Sequence, residues 1–195
     1  MPVKTKKVHS IEHLGTVDFG TKVLATDPCY SLGTWCHELV DGVLPGEWDG
    51  YAIKTCFTFK WGQDARTAIL MAHHRNHPVK AWSTCWEHIS GNIGVDAGQA
   101  GLFDLKRYPK DNHGEYDDPR TFYGRCSKIT LSERACGAVR EGFVSESGFG
   151  DGTYDLEVQR DSKGRIVAMA VYFLPFGGMW RAMATPKVPR PPLAA

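Results

Sequence analysis

The sequence predicts a β-rich α+β fold: a compact, mainly antiparallel sheet or sandwich with a C-terminal meander and a few short helices. Three observations carry that reading. Tyr51, Ile53, Thr55, Phe57 and Phe59 alternate with Ala52, Lys54, Cys56, Thr58 and Lys60, the period-two pattern of a half-buried strand. Tyr154, Leu156 and Val158 alternate with Asp155, Glu157 and Gln159 and then meet the turn Asp161-Ser-Lys-Gly164, a strand followed by its reversal. Ile166 to Phe173 is apolar or aromatic at nearly every position, as a central strand covered on both faces requires.

Taken in chain order, the first strand is expected to run from Gly15 through Val23 and Leu24. Ser31 to Val40 is read as a short helix. Tyr51–Lys60 and the apolar run Thr67–Ala72 form a hairpin across Trp61-Gly62-Gln63-Asp64, whose residues suit a turn. Asp118-Pro119 predicts a second helix, with aspartate as the cap and proline at the first helical position. Ala138–Val144 is expected to be one strand, entering a turn at Gly148–Gly152 and completing a three-strand meander with the two strands that follow.

At 195 residues the chain suits one domain with a sizeable core. We divide it into a basic flexible start over 1–14, a β-rich body over 15–180 and a proline-rich tail over 181–195, the last marked by Pro186, Pro189, Pro191 and Pro192. That tail could reach a neighbour, which leaves room for an oligomer. A formal charge of +1 provides no field for generic nucleic-acid binding or an anionic membrane. The basic start has no apolar stretch after it, and Ile166–Trp180 is broken by Pro175 and Gly177-Gly178, so neither a secretory leader nor a membrane span is expected. The six cysteines at 29, 36, 56, 85, 126 and 136 contain no Cys-x-x-Cys pair. Reduced, largely buried thiols in a cytoplasmic setting are expected.

Three glycine-acid segments stand out as places where chemistry could reside. Ser145-Glu-Ser-Gly-Phe-Gly-Asp-Gly-Thr-Tyr154 combines glycines, which admit backbone geometries closed to other residues, with a carboxylate at its apex. Its amides could cradle an anion, or Asp151 could ligate a cation, while Asp-Gly is also a favoured hairpin turn. In Gly94-Val-Asp-Ala-Gly-Gln-Ala-Gly-Leu-Phe-Asp104, Asp96 and Asp104 could share a metal or divide acid and base roles, or simply cap turns. Thr26-Asp-Pro-Cys-Tyr30 places Asp27 at a strand end beside Cys29, either a nucleophile or a packing residue.

Other features are weaker. His73-His-Arg-Asn-His77 has metal-ligand spacing on a helix, but it follows an apolar strand and abuts Pro78, so a loop is expected. Asp111–Asp118 is acidic without the calcium-loop pattern of an EF-hand. Ser145 and Ser147 do not complete a Gly-x-Ser-x-Gly element, and neither a Walker loop nor a dinucleotide fingerprint is present. Trp35, Trp48, Trp61, Trp82 and Trp86 could stack on a planar ligand, though irregularly spaced tryptophans usually belong to the core or its rim.

Asp27-Pro-Cys-Tyr30, Gly94-Val-Asp-Ala-Gly98 and Ser147-Gly-Phe-Gly-Asp-Gly-Thr-Tyr154 occur in that order between Gly15 and Phe173. In this the chain resembles a poorly characterised group of small bacterial and phage proteins, a domain family of unknown function sharing DPCY, VDAG and SGxGDGxY elements. The resemblance implies a compact β-rich fold, the three elements near one another, and an origin in a bacterium or phage. It assigns no activity, cofactor or catalytic residue. The leading expectation is a non-enzymatic accessory protein in the cytoplasm of a bacterium or phage-infected host. It would bind a small polar or anionic ligand, or a protein partner, through Asp27, Tyr30, Asp96, Gly98, Asp104, Ser147, Gly150, Asp151, Gly152 and Tyr154. The alternatives are a metal-assisted hydrolase using Asp27, Asp96, Asp104 and Asp151, with His73 or His77, and a structural protein of a virion.

Overall fold

A computed structural model of the protein describes residues 5–60, 62–77, 86–111 and 114–174. Two antiparallel sheets account for most of it, with one helix among the described residues. The strands are β1 (Thr5–Phe19), β2 (Lys22–Thr26), β3 (Glu38–Asp41), β4 (Gly46–Phe59), β5 (Gly62–His74), β6 (Glu87–Val95) and β7 (Gln99–Asp104). The helix α1 (Phe122–Thr130) follows, then β8 (Cys136–Val139), β9 (Gly142–Glu146), β10 (Gly152–Arg160) and β11 (Ile166–Tyr172). One sheet has the order β1-β4-β5-β11-β10-β6 and the other β3-β2-β7-β9-β8. No helix among the described residues is long and apolar enough to cross a membrane.

The sheets face each other across a shared core. Trp48, Ala52, Leu70 and Met169 of the first sheet and Val23, Leu102 and Phe143 of the second belong to one buried cluster. Gly50 lets them approach closely: a Cβ there would lie 2.4 Å from the Phe143 ring. On the far side of the five-stranded sheet, α1 contributes Phe122 and Cys126 to a second cluster with Leu24, Phe103, Tyr108 and Val144. β2, β7 and β9 therefore alternate between two apolar layers. Thr121 caps α1, its hydroxyl accepting the Gly124 N–H at 2.9 Å.

The strand pairings agree with the sequence where turn chemistry is local. β10 and β11 pair as a hairpin whose turn is held by Asp161, its Oδ1 accepting from Lys163 N and Arg165 N, both at 2.9 Å. β11 is flanked by β5 and β10 and buried on both faces. β4 and β5 form the expected hairpin, with a shorter connection than Trp61–Asp64 because pairing continues to Phe59 and Gly62. The polar-looking side of β4 is solvated only toward its end, at Thr58; Lys54 is buried, donating to the Arg134 carbonyl at 2.7 Å and facing Glu12 at 3.2 Å.

Several expectations need correction. The strand read from Gly15 to Leu24 is two strands in different sheets, broken at Gly20-Thr21, and residues 5–14 of the supposedly flexible start belong to β1. Ala138–Val144 is not one strand but the β8–β9 hairpin, folded at Arg140-Glu141. β9 lies in the sheet opposite β10, so the three-strand meander reduces to the β10–β11 hairpin. Ser31–Val40 is a turn-rich loop leading into β3 rather than a helix, with Gly33 at φ +96° and Thr34 bonded back to the Ser31 carbonyl. Asp118 holds its own turn through Arg120 N at 3.0 Å, and the helix waits for the Thr121 cap. His73 and His74 lie within β5, not in a loop. The tail over 181–195, Trp61, Trp82 and Cys85 lie outside the described residues.

Candidate functional site

β2 ends at Thr26, and the next side chain, Asp27, is fully buried. Its Oδ1 accepts the Cys29 N–H at 2.9 Å, and its Oδ2 accepts the N–H groups of Asp96 at 3.0 Å and Ala97 at 2.7 Å. Burial pushes the Asp27 carboxyl up, while those backbone donors pull it down less strongly. Asp96 and Ala97 form the turn by which the chain leaves β6 in one sheet and enters β7 in the other. The Tyr30 hydroxyl donates to Asp96 Oδ2 at 2.5 Å, and Tyr108 donates to the Tyr30 carbonyl at 2.6 Å.

The third segment closes on the same turn. Asp151 Oδ1 accepts the Gly98 N–H at 3.0 Å, and Ser147 N donates to the Gly98 carbonyl at 3.0 Å. Gly98 has φ +64°, a left-handed geometry that glycine adopts without strain. Within the segment, Ser147 Oγ donates to the Gly150 carbonyl at 2.7 Å, and the Tyr154 hydroxyl reaches the carbonyls of Ser147 and Gly150. Gly152 opens β10 opposite Val95 of β6. The structure thus brings together Asp27, Tyr30, Asp96, Gly98, Ser147, Gly150, Asp151, Gly152 and Tyr154.

Asp104 is elsewhere. It ends β7 opposite Val23, whereas the cluster gathers where β7 begins and β2 ends. There it accepts Gly20 N at 2.6 Å and Lys106 N at 3.1 Å, with Arg107 Nε at 3.5 Å. The four aspartates of the metal-hydrolase reading therefore do not converge, and both Asp27 oxygens already accept backbone bonds. Among the described residues, no three His, Cys, Asp or Glu side chains are grouped to hold a metal ion. Asp96, Ala97 and Gly98 present a row of amides, and the anions they meet are the chain's own Asp27 and Asp151; in Ser145–Tyr154, where a cradle was expected, Ser147 N and Gly150 N donate to the Gly98 and Ser147 carbonyls.

The thiol beside this cluster is not set up as a nucleophile. Burial first, and the neighbouring Asp27 charge second, push Cys29 up and keep it protonated. Cys36, Cys126 and Cys136 are buried free thiols, and Cys29 and Cys56 half-buried ones. His73 stacks on Tyr51, ring centroids 5.3 Å apart, and burial depresses its pKa. His74 faces the Pro45 carbonyl at 3.3 Å.

No family model, curated protein or solved structure matches the chain.

What residue patterns missed is the surface around the cluster. Trp35 is 88% exposed, against the expectation that the tryptophans belong to core or rim; Trp48, by contrast, is fully buried, its Nε1 donating to the Leu44 carbonyl. Trp35 sits on the loop after Asp27, and that loop is tied down. Leu32 N reaches the Lys110 carbonyl, Thr34 Oγ1 donates to the Ser31 carbonyl at 2.8 Å, and the Cys36 carbonyl accepts from Gly94 N. Leu32 and Leu39 flank it, Phe149 stands at 62% exposure in the Ser147–Gly152 turn, and Leu131 at 75% follows α1. The end of α1 reaches the same end of the fold, because Thr130 Oγ1 donates to Gln99 Oε1 at the start of β7. The exposed large hydrophobic residues described are Leu32, Trp35, Leu39, Tyr116, Leu131 and Phe149, and Trp35 is the most exposed of them. The available signal was Trp35 and Phe149 standing beside glycines and threonine, in stretches too polar to be core.

Proposed function

We propose that the protein is a non-enzymatic binding module that engages a protein partner through this end, in the cytoplasm of a bacterium or phage-infected host. The observation that carries the reading is Trp35, an almost fully exposed tryptophan on a loop held by hydrogen bonds at both ends. Large aromatic anchors dominate protein interfaces, and presenting one on an ordered loop lowers the entropy lost on binding. The amides of Asp96, Ala97 and Gly98 are occupied by Asp27 and Asp151, so that row offers a small anion nothing. The bacterial or phage setting rests on the ordered DPCY, VDAG and SGxGDGxY elements.

Quantitative affinity capture from bacterial lysate, with the wild-type chain and Trp35→Ala as parallel baits, tests this. A specific partner should be retained by the first and depleted at least ~10-fold by the second, as for an interface anchor worth more than about 1.4 kcal/mol. The variant's own stability should stay within about 0.5 kcal/mol, since Trp35 packs against little. Equal capture by both baits would remove Trp35 from the interface and the reading with it.

A further inference from the structure

The strand that follows the Trp35 loop stands at a sheet edge. Among the described strands β3 pairs only with β2, from Lys22 opposite Asp41 to Ala25 opposite Glu38. In an antiparallel pair alternate residues turn their N–H and C=O groups away from the partner, and no residue of β3 exchanges a backbone bond with the described turns and loops. Its side chains read acid, apolar, apolar, acid. Val40 enters the shared core, while Leu39, opposite Leu24 of the layer beneath α1, is 46% exposed. Glu38 makes no ion pair among the described residues, and Asp41 meets Lys22 at 2.8 Å in an exposed pair.

We propose that the partner contributes an extended segment that adds to β3 as a further strand, with adjacent apolar residues opposite Leu39 and Val40 and a lysine or arginine opposite each of Glu38 and Asp41. The inference rests on the partner-binding reading and names the partner's chemistry. In such an addition the backbone bonds supply affinity and the side chains opposite the edge supply selectivity. An exposed ion pair like that of Asp41 with Lys22 is worth little by itself, so it leaves the carboxylate able to meet a second cation.

Charge also argues against a second copy of this chain as the occupant. Like charges directly opposite one another destabilise a strand pair. β3 laid antiparallel on the β3 of a copy, about its centre, sets Glu38 across from Asp41 at both ends. A basic segment meets no such repulsion. Where it is longer than β3 it continues past Glu38 toward the loop that carries Trp35, three positions earlier in the chain, so one segment can engage both the edge and the tryptophan.

NMR titration of the nitrogen-15-labelled full chain with a capped synthetic peptide centred on Lys-Val-Val-Lys tests this. The amide signals of residues 38–41 should shift saturably, while those of β8, at the opposite edge of the same sheet, should stay still. Two N-methylated versions decide the geometry, because only alternate N–H groups of an added strand face the edge. Methylating one alternate set should weaken binding at least ~10-fold, and methylating the other should change it less than ~2-fold. A peptide centred on Glu-Val-Val-Glu should bind at least ~10-fold more weakly than the basic one. The proposal is overturned by a titration without saturable shifts at residues 38–41, by equal effects of the two methylated sets, or by equal binding of the acidic peptide. It is overturned equally if every amide of residues 38–41 is protected from hydrogen exchange in the free chain, or if light scattering shows a dimer that Leu39→Lys dissolves, since either result puts another occupant on the edge. Capture from lysate that is lost in Trp35→Ala but unchanged in Leu39→Lys would leave the binding reading intact and remove only the added strand.

Discussion

Asp27→Asn is expected to destabilise the protein by about 3 kcal/mol, because one amide cannot replace a carboxylate that accepts on both sides. Oδ1 takes Cys29 N, and Oδ2 takes Asp96 N and Ala97 N. Whichever way the asparagine is turned, its NH2 group must face at least one backbone donor. The substitution does remove the cost of burying a charge, the force that pushes the Asp27 carboxyl up, so the loss should fall short of that for a broken buried ion pair. Urea unfolding should show a lower midpoint with an unchanged slope. Amide hydrogen exchange should quicken first at residues 96 and 97, locating the loss at the β6–β7 crossing. A midpoint shift worth less than about 0.5 kcal/mol would show that the three bonds contribute little.

Gly50→Ala is expected to be comparably severe for a different reason. The added methyl would lie 2.4 Å from the Phe143 ring, and that ring is fully buried and packed edge-on against Phe19 with centroids 5.8 Å apart. It cannot retreat without pushing the two sheets apart, so a loss of about 2–3 kcal/mol is expected. The mechanism can be separated from any backbone effect by a second change. Phe143→Leu alone opens space and should destabilise, while Gly50→Ala with Phe143→Leu should be more stable than the sum of the two losses implies. Strict additivity in that cycle, measured by thermal or urea unfolding, would place the cost of the methyl somewhere other than Phe143.

Local chemistry made some of this fold legible. Asp161 and Gly164 define a turn by themselves, the two-faced apolar run of β11 could only be a central strand, and β4 is a strand as expected, though buried on both faces from Trp48 to Thr55 rather than half-buried. What the pattern could not convey was which sheet each strand joins. Phe19 and Val23 are equally apolar, so the change of sheet at Gly20-Thr21 left no mark, and the two-residue turn at Arg140-Glu141 was hidden within what read as one strand. Leu32, Trp35 and Leu39 recur at spacings of three and four, which imitates the buried stripe of a helix. In the structure they are exposed on a loop and a short edge strand. The site was half legible in the same sense. Proximity of the three elements was implied only by the resemblance, and a carboxylate that serves the chain's own amides looks in sequence like one that awaits a ligand.

The two buried aspartates that proved to lie apart perform one task at opposite ends of the molecule. Asp27 fastens the passage from β6 to β7, and Asp104, through Gly20, fastens the passage from β1 to β2. Each joins stretches that are distant along the chain, with 69 and 84 residues between the bonded partners' positions. A topology dominated by such distant pairings folds slowly, because the chain must surrender its freedom over long loops before the contacts reward it. These side chains can engage only when the strands they fasten have already met, so they act on how long the native state persists more than on how quickly it is found.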